Sequence, residues 1–444
     1  MGTITSSLVL LVGMVSLAGL FLTGNGELQG WAVGTMMVVG IAVLGSLIFL
    51  PGILSLLGTW TDRARVPFLG RRRARARESR VWRSVVRVVV RHPLVCGGAV
   101  VALLGVLAVP TFSLALQQPG IHDLPDSVPI IKTLDEMQSA FPGGPTPEDV
   151  VVTGSDLTSP QVAAAVRDLE SYAGHGSINN PISTSLLGNG TVLVVSVPLA
   201  GTGTDTTSEN ALSTLRDEIL PASFGKIPGV SYAVTGETAT TRDWNALMSA
   251  RTPWVFAFVL GLAFLLLMVM FRSVAVPALT IGLNLLSVGA SFGVMTWIFQ
   301  YGHLEGLLGF SAFGGITPWL PLFMFAMLFG LSMDYHVFVL SRIHELRRRG
   351  ETPREAITAG ISGSAGVVTS AAIIMAAVFS IFATLSIFEF KMFGVVMCVA
   401  VLIDATLVRG ILLPAGLSLL GGRLWRPSVP PATERPVSPA LSRQ

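Results

Sequence analysis

Eight apolar stretches constrain this chain more than any other feature. A helix rises about 1.5 Å per residue, so a hydrocarbon core of about 30 Å takes about 20 apolar residues to cross. Blocks of that kind run over 5–23, 31–57, 94–115, 252–271, 274–298, 316–341, 365–387 and 392–420. Charged residues make up only 12% of the 444-residue chain, against about 25% in soluble domains. A water-soluble globular protein of this length is excluded. Residues 5–23 have no basic region before them and no small-residue cleavage site after them, which argues against a cleaved signal peptide. The two cysteines, Cys96 and Cys398, both fall in apolar blocks and read as small core residues.

Arginine sets the orientation. The segment 59–92 carries a dense run from Arg63 to Arg91, and Arg342, Arg347, Arg348, Arg349 and Arg354 follow the sixth block. Arg272 sits in a very short turn, and Arg423 and Arg426 follow the last block. Eight spans place all of these on one side, which the positive-inside rule makes cytoplasmic. The run 59–92 is read as this topology signal. A nucleic-acid site or a lipid-headgroup site is the alternative reading of such a cluster, and no nucleic-acid partner is expected. The balance of arginine over lysine, which appears only at Lys132, Lys226 and Lys391, suggests a GC-rich bacterial genome. The expected location is the bacterial cytoplasmic membrane.

The long polar stretch 116–251 then lies outside the cytoplasm. Val150–Thr153, Thr191–Pro198 and Val230–Thr235 read as strands, and Ser159–Tyr172 and Ser208–Leu220 as helices. The alternation suits a small split βαβ domain. A further helix near Thr240–Ala250 is expected to run directly into the next span. The fold class expected is therefore an α-helical polytopic bundle of about eight spans with one α+β extracytoplasmic domain. The Pro- and Ser-rich tail 422–444 is expected to be a disordered cytoplasmic segment.

An internal repeat divides the chain. Leu50-Pro51 and Leu54-Ser55-Leu56-Leu57-Gly58 match Leu413-Pro414 and Leu417-Ser418-Leu419-Leu420-Gly421 at constant spacing. One residue out of that register, Gly2, Thr5, Ser6, Ser16 and Gly30 match Gly366, Thr369, Ser370, Ser380 and Gly394. Pseudo-repeated bundles are frequent among secondary transporters. Residues 1–58 are thus expected to be the last two spans of a first repeat, and 59–92 a basic linker. Residues 93–115 open the second repeat, 116–251 form its external domain, and 252–421 supply five more spans. Most of a first repeat is expected to be missing.

Asp334 is the first candidate for chemistry. It lies inside an apolar block, about 12 Å along a helix from Arg342. A carboxylate at that depth costs on the order of 3 kcal/mol on insertion scales. Burial favours the neutral carboxyl, so such a group can take a proton from one side and release it to the other. A structural hydrogen-bonded Asp at a helix contact is the alternative. Tyr335 is expected either to orient the carboxyl or simply to pack. Asp404 and Arg409 in the last block form a candidate secondary polar pair. Five residues apart, they need not share a helix face, and Arg409 is free to snorkel to the cytoplasmic side. His336 and His344 read as ordinary residues near the cytoplasmic end. Gly289, Gly293, Gly360, Gly363 and Gly366 suggest close helix contacts.

No phosphate-binding Gly-x-x-x-x-Gly-Lys-Ser/Thr loop, no zinc-binding His-Glu-x-x-His and no strand–helix elbow of the Gly-x-Ser-x-Gly kind occurs, the run Gly289-Ala290-Ser291-Phe292-Gly293 lying inside an apolar block. The expectation is a membrane transporter without catalytic residues, cofactor or metal, driven by an ion gradient and not by nucleotide hydrolysis.

Several stretches together resemble the MMPL family of the resistance-nodulation-division (RND) superfamily of transporters. They are Phe271-Arg272-Ser273 with Pro277, Asn284-Leu285-Leu286-Ser287-Val288-Gly289-Ala290, and Pro318-Trp319-Leu320-Pro321. Phe329-Gly330-Leu331-Ser332-Met333-Asp334-Tyr335 with Ser341-Arg342, and Asp404 to Arg409 with Leu413-Pro414-Ala415, complete the match. The resemblance implies a twelve-span protein with two periplasmic porter domains that exports lipids or other hydrophobic compounds at the expense of a proton gradient. It implies that an Asp-Tyr pair on the fourth span faces another on the tenth as the proton relay. Asp334-Tyr335 matches the tenth-span pair, and 116–251 the second porter domain. The fourth-span pair has no counterpart, so the first four spans and first porter domain are expected to be absent. Partners implied are membrane lipids, a hydrophobic or amphipathic substrate, protons, and either a second polypeptide supplying the other half or further copies of the chain. A non-transporting remnant or membrane scaffold is the competing expectation.

Overall fold

The structure, a computed structural model, describes residues 16–58, 80–118, 147–201 and 203–421, together with Met14 and Thr133. The chain divides into two compact units. One comprises Met1–Ser113, Pro253–Met295 and Pro321–Gln444, and the other Leu114–Thr252 and Thr296–Leu320.

Seven helices among the described residues are long and apolar enough to cross a membrane. Helix α1 runs over Gly26–Leu57, and a shorter α2 over Arg80–Arg91. The next, α3, spans Pro93–Ser113. The expected span 5–23 lies outside the described residues except at its end, where Gly19–Thr23 forms a 3-10 turn. The expected tail 422–444 lies outside them too. So does the basic segment 59–79, and 80–91 of the expected linker form a helix. In α2, Val86, Val89 and Val90 are buried and Arg83, Arg87 and Arg91 exposed. That spacing puts valines on one face and arginines on the other, which an arginine count alone conceals.

The external-domain unit is built on a four-stranded antiparallel sheet. Its strands are β1 (Glu148–Thr153), β2 (Ser183–Leu187), β3 (Val192–Val197) and β4 (Ser231–Thr235), in the order β2-β3-β1-β4. This is the split βαβ topology the alternation predicts. Helix α4 (Pro160–Ser171) lays Val162, Ala165 and Leu169 on the sheet. Helix α5 (Thr206–Thr214) and its continuation add Leu212, Leu215 and Ile219 against Val150, Val152, Val195 and Val197. The strand β2 escaped the sequence reading because it is an edge strand, exposed at every residue, and so shows no alternation.

Helix α6 covers Glu237–Phe271 without a break, so the helix expected near Thr240–Ala250 does run on into the span. Its first turn is held by the external unit. Glu148, itself buried, accepts hydrogen bonds from the Thr238 and Ala239 N–H groups at 2.9 and 3.1 Å. The external unit also contains Thr296–Leu320, which an expected boundary at 251 leaves out. Gln117 N–H donates to Ile316 O at 3.0 Å and Ile316 N–H to Ala115 O at 2.8 Å. Two bonds across nearly 200 residues of sequence leave no periodic signal.

The remaining spans are α7 (Ala275–Gln300), α8 (Trp319–Arg348), α9 (Pro353–Phe382) and α10 (Phe388–Leu420). Arg272, at φ 50°, makes the short turn into α7. Thr352 and Glu355 form a reciprocal cap on α9 with Pro353 at its first position, which starts the helix twelve residues before the apolar block does. Within the membrane unit α7 packs on α3 and α10, and α9 packs on α10 and α2. A Cβ at Gly293 would collide with the Leu107 carbonyl, and one at Gly360 would meet Ile343 at 2.6 Å. Those two glycines make close helix contacts. Gly289 has only an ordinary contact, and Gly363 and Gly366 face open space.

Candidate functional site

The polar groups of the membrane unit converge on one place, where α7, α8, α9 and α10 line a small cavity of about 20 Å³. That volume holds about one water molecule. Asn284, Ser287, Ser291, Ser332, Asp404 and Arg409 give it a polar wall, with Met375 among the apolar residues opposite.

Asp404 and Arg409 form an ion pair, their side chains 9% and 6% exposed. Arg409 therefore does not snorkel. The reason is local: Asp404–Leu412 is a π-helical segment within α10. In an α-helix, residues five apart point about 140° away from each other. A π-helix closes its hydrogen bonds over five residues, so residue i+5 stacks above residue i. Ser332 Oγ donates a second bond to Asp404 at 2.9 Å.

Helix α8 supplies the rest. The Arg409 guanidinium lies over the Tyr335 ring, 4.4 Å from its centroid, a cation–π contact. Tyr335 Oη donates to Met375 Sδ at 3.7 Å. Asp334 is half-buried, and its Oδ1 atom is buried without a hydrogen-bond partner among the described residues. The cation that acts on it is Arg409. A carboxyl held this way next to a shared guanidinium is suited to exchanging a proton.

His336 departs from its expected role as a peripheral residue. It is fully buried, with Nδ1 2.9 Å from the Ser332 carbonyl, so that nitrogen carries the proton. His344 lies further along α8, where its ring meets Phe271 edge-on at 6.4 Å. Asn284 and Ser332 enter the sequence reading only as members of the family-like stretches, not as site residues. A signal existed in α7, where Thr280, Asn284, Ser287 and Ser291 recur at helical spacing and all are buried. A polar stripe along an otherwise apolar span points into the bundle. Among the described residues no group of three or more His, Cys, Asp or Glu side chains is placed to hold a metal ion.

Residues 122–438 match the MMPL family, and the chain belongs to that family. It is a helical membrane protein with a small α+β domain. Over 433 residues it is 30% identical to the mycolic acid-containing lipids exporter MmpL11 of Mycolicibacterium smegmatis, covering 93% of this chain and 43% of the relative. It is 32% identical to the heme uptake protein MmpL11 of Mycobacterium tuberculosis H37Rv, covering 94% and 43%. With the trehalose monomycolate exporter MmpL3 of Mycobacterium tuberculosis CDC 1551 it shares 29% identity over 95% and 48%. The chain spans about half the length of these relatives.

Proposed function

We propose that this chain carries one side of a proton-driven MMPL-type exporter of lipids or other hydrophobic and amphipathic compounds across the bacterial cytoplasmic membrane. The observation that carries the reading is Asp334, whose buried, unpartnered carboxyl oxygen neighbours an Arg409 already paired with Asp404. Lipid export is suggested by the names of relatives from Mycolicibacterium smegmatis and Mycobacterium tuberculosis. The heme uptake relative argues that cargo varies within the family.

Two carboxylates and one guanidinium make a two-state device. With Asp334 protonated, Arg409 serves Asp404 alone. With Asp334 ionised, the same guanidinium is drawn by two carboxylates, and Tyr335 beneath it must move with it. Proton entry and release thereby become motion of α8 against α10. The membrane potential supplies about 2.3 kcal/mol per charge per 100 mV, so nucleotide hydrolysis is not required. A second Asp-Tyr pair facing Asp334 and Tyr335, as the family resemblance implies, would complete the relay, whether it comes from the same polypeptide, a second one or a further copy. The arginine-rich segment 59–92 and the tail 422–444 lie in the cytoplasm, by the positive-inside rule.

Asp334→Asn tests the proposal in cells that depend on this gene for export. Loss of export at unchanged protein level is expected, and undiminished export refutes it. Reading the genome upstream of Met1 addresses the split arrangement. Four spans with an Asp-Tyr pair, in frame or in a neighbouring gene, support it, and a decayed reading frame favours a non-transporting remnant.

A further inference from the structure

The segment that joins α7 to α8 displays large apolar side chains outward. Between Thr296 and Pro318 the only titratable side chains besides Tyr301 are His303 and Glu305. Both are tied back to the backbone of the segment. Glu305 Oε1 accepts a hydrogen bond from the Ala312 N–H at 2.8 Å. His303 Nδ1 lies 2.7 Å from the Trp297 carbonyl, and its ring stacks on the Trp297 indole with centroids 4.3 Å apart. His303 is exposed beside that ring, and most of what else the segment displays is apolar. Leu307 is 80% exposed, Tyr301 48%, Leu304 45% and Trp297 43%.

A loop that stands in water shows the opposite arrangement, with charges outward and leucines inward. Here the outward display is held in place. Leu304 sits at φ 69°, a left-handed conformation that costs a branched residue about 1 kcal/mol or more. The turn it makes starts the helical turn Glu305–Leu308, which presents Leu307 at its tip. Trp297 belongs to the last turn of the span α7, and Tyr301 follows directly. The end of a span marks the level of the lipid headgroups, where Trp and Tyr are enriched because each has an apolar body and a polar tip.

We infer that Trp297–Leu307 is a membrane-seated element: its Trp297, Tyr301, Leu304 and Leu307 side chains lie in the outer-leaflet interface of the lipid bilayer. The partner is lipid, not a protein surface. The exposed set is mainly aromatic and leucine side chains, with His303 stacked on Trp297 and no acidic or Lys/Arg side chain exposed among them, and it continues the lipid-crossing helix that precedes it. The inference holds whether or not the protein transports.

The test uses the full chain in lipid vesicles with Cys96 and Cys398 replaced by alanine. A single cysteine is introduced as Leu307→Cys, or as Gly306→Cys where an added Cβ meets nothing within 4 Å, and carries a polarity-sensitive fluorophore. Glu170→Cys on the exposed face of α4 is the reference. The expected result at 306 and 307 is quenching by lipids spin-labelled near the headgroup several-fold stronger than quenching by aqueous iodide, with the reverse at 170. Iodide quenching at 306 and 307 equal to that at 170 overturns the inference, because the loop then stands in water. Protection from both quenchers overturns it as well, because protein then covers the loop.

Discussion

Replacing Arg409 with methionine removes the cation but keeps a flexible side chain in its place. The Asp404 side chain, 9% exposed, then keeps the hydrogen bond from Ser332 at 2.9 Å and loses its counter-charge. Breaking a buried ion pair by removing one partner costs about 3–5 kcal/mol, most of it the stranded charge. The lost cation–π contact with Tyr335, 4.4 Å from ring centroid to guanidinium, adds about 0.5–2 kcal/mol. Arg409→Met is thus expected to destabilise the protein by about 4 kcal/mol, the lower part of that combined range. The double replacement Asp404→Leu with Arg409→Met strands nothing. Exchanging a buried pair for apolar side chains is neutral or stabilising, by up to about 4 kcal/mol, so most of the loss should be recovered. Thermal unfolding in detergent, followed by near-UV circular dichroism, ranks the three proteins. A single variant as stable as the parent, or a double variant no better than the single, refutes a buried and mutually neutralising pair. Transport separates structure from function. If the pair works with Asp334, the stable double variant must still fail to export. A double variant that exports normally reduces the pair to a structural clasp.

Asp334→Asn is expected to abolish proton-coupled export while leaving thermal stability equal to or above the parent, since it removes a carboxylate from the membrane interior; a stability loss matching the export loss would point to a structural Asp instead. Gly360→Leu should destabilise the α8–α9 contact by about 1–3 kcal/mol through collision with Ile343, whereas Gly363→Leu, which faces open space, should be silent in the same melt. In the external unit, burial raises the Glu148 carboxyl above its ordinary value of 4.5, and the Thr238 and Ala239 N–H groups only partly offset this. A raised value means the stability contributed by this group is complete below pH 4.5 and is lost as pH rises through the raised value. Glu148→Gln should therefore flatten the fall in stability over that window, and an unchanged pH slope in denaturant melts of the full chain would refute it.

The membrane architecture was legible because lipid enforces a length rule on every span. Seven of the eight apolar blocks coincide with described helices, differing only at their ends. Those ends moved wherever a local signal extended the helix past the lipid-facing block. Thr352, Pro353 and Glu355 start α9 early, and Arg342–Arg348 continue α8 late. The sheet was legible only where a strand has one buried face. Thr191–Pro198 alternates and was found, whereas Ser183–Leu187 is exposed on both faces and was not.

The candidate site was half legible, for a related reason. A lone carboxyl in an apolar block declares itself by its cost, so Asp334 stood out. Its partners depend on the period of the helix that carries them, and the sequence reading assumed one period throughout. In α10 the period changes at Asp404, and the π-helical segment turns a five-residue spacing from divergence into contact. The same change delivers Arg409 to the Tyr335 ring on a different helix. A π-helix is a poorer backbone than an α-helix, so nine residues of it inside a span must be stabilised by what it brings together. The ion pair, the Ser332 bond and the cation–π contact are that compensation. If Asp334 takes up a proton as proposed, the demand on Arg409 changes, and the last span, which carries both Asp404 and Arg409, is where that change would be felt.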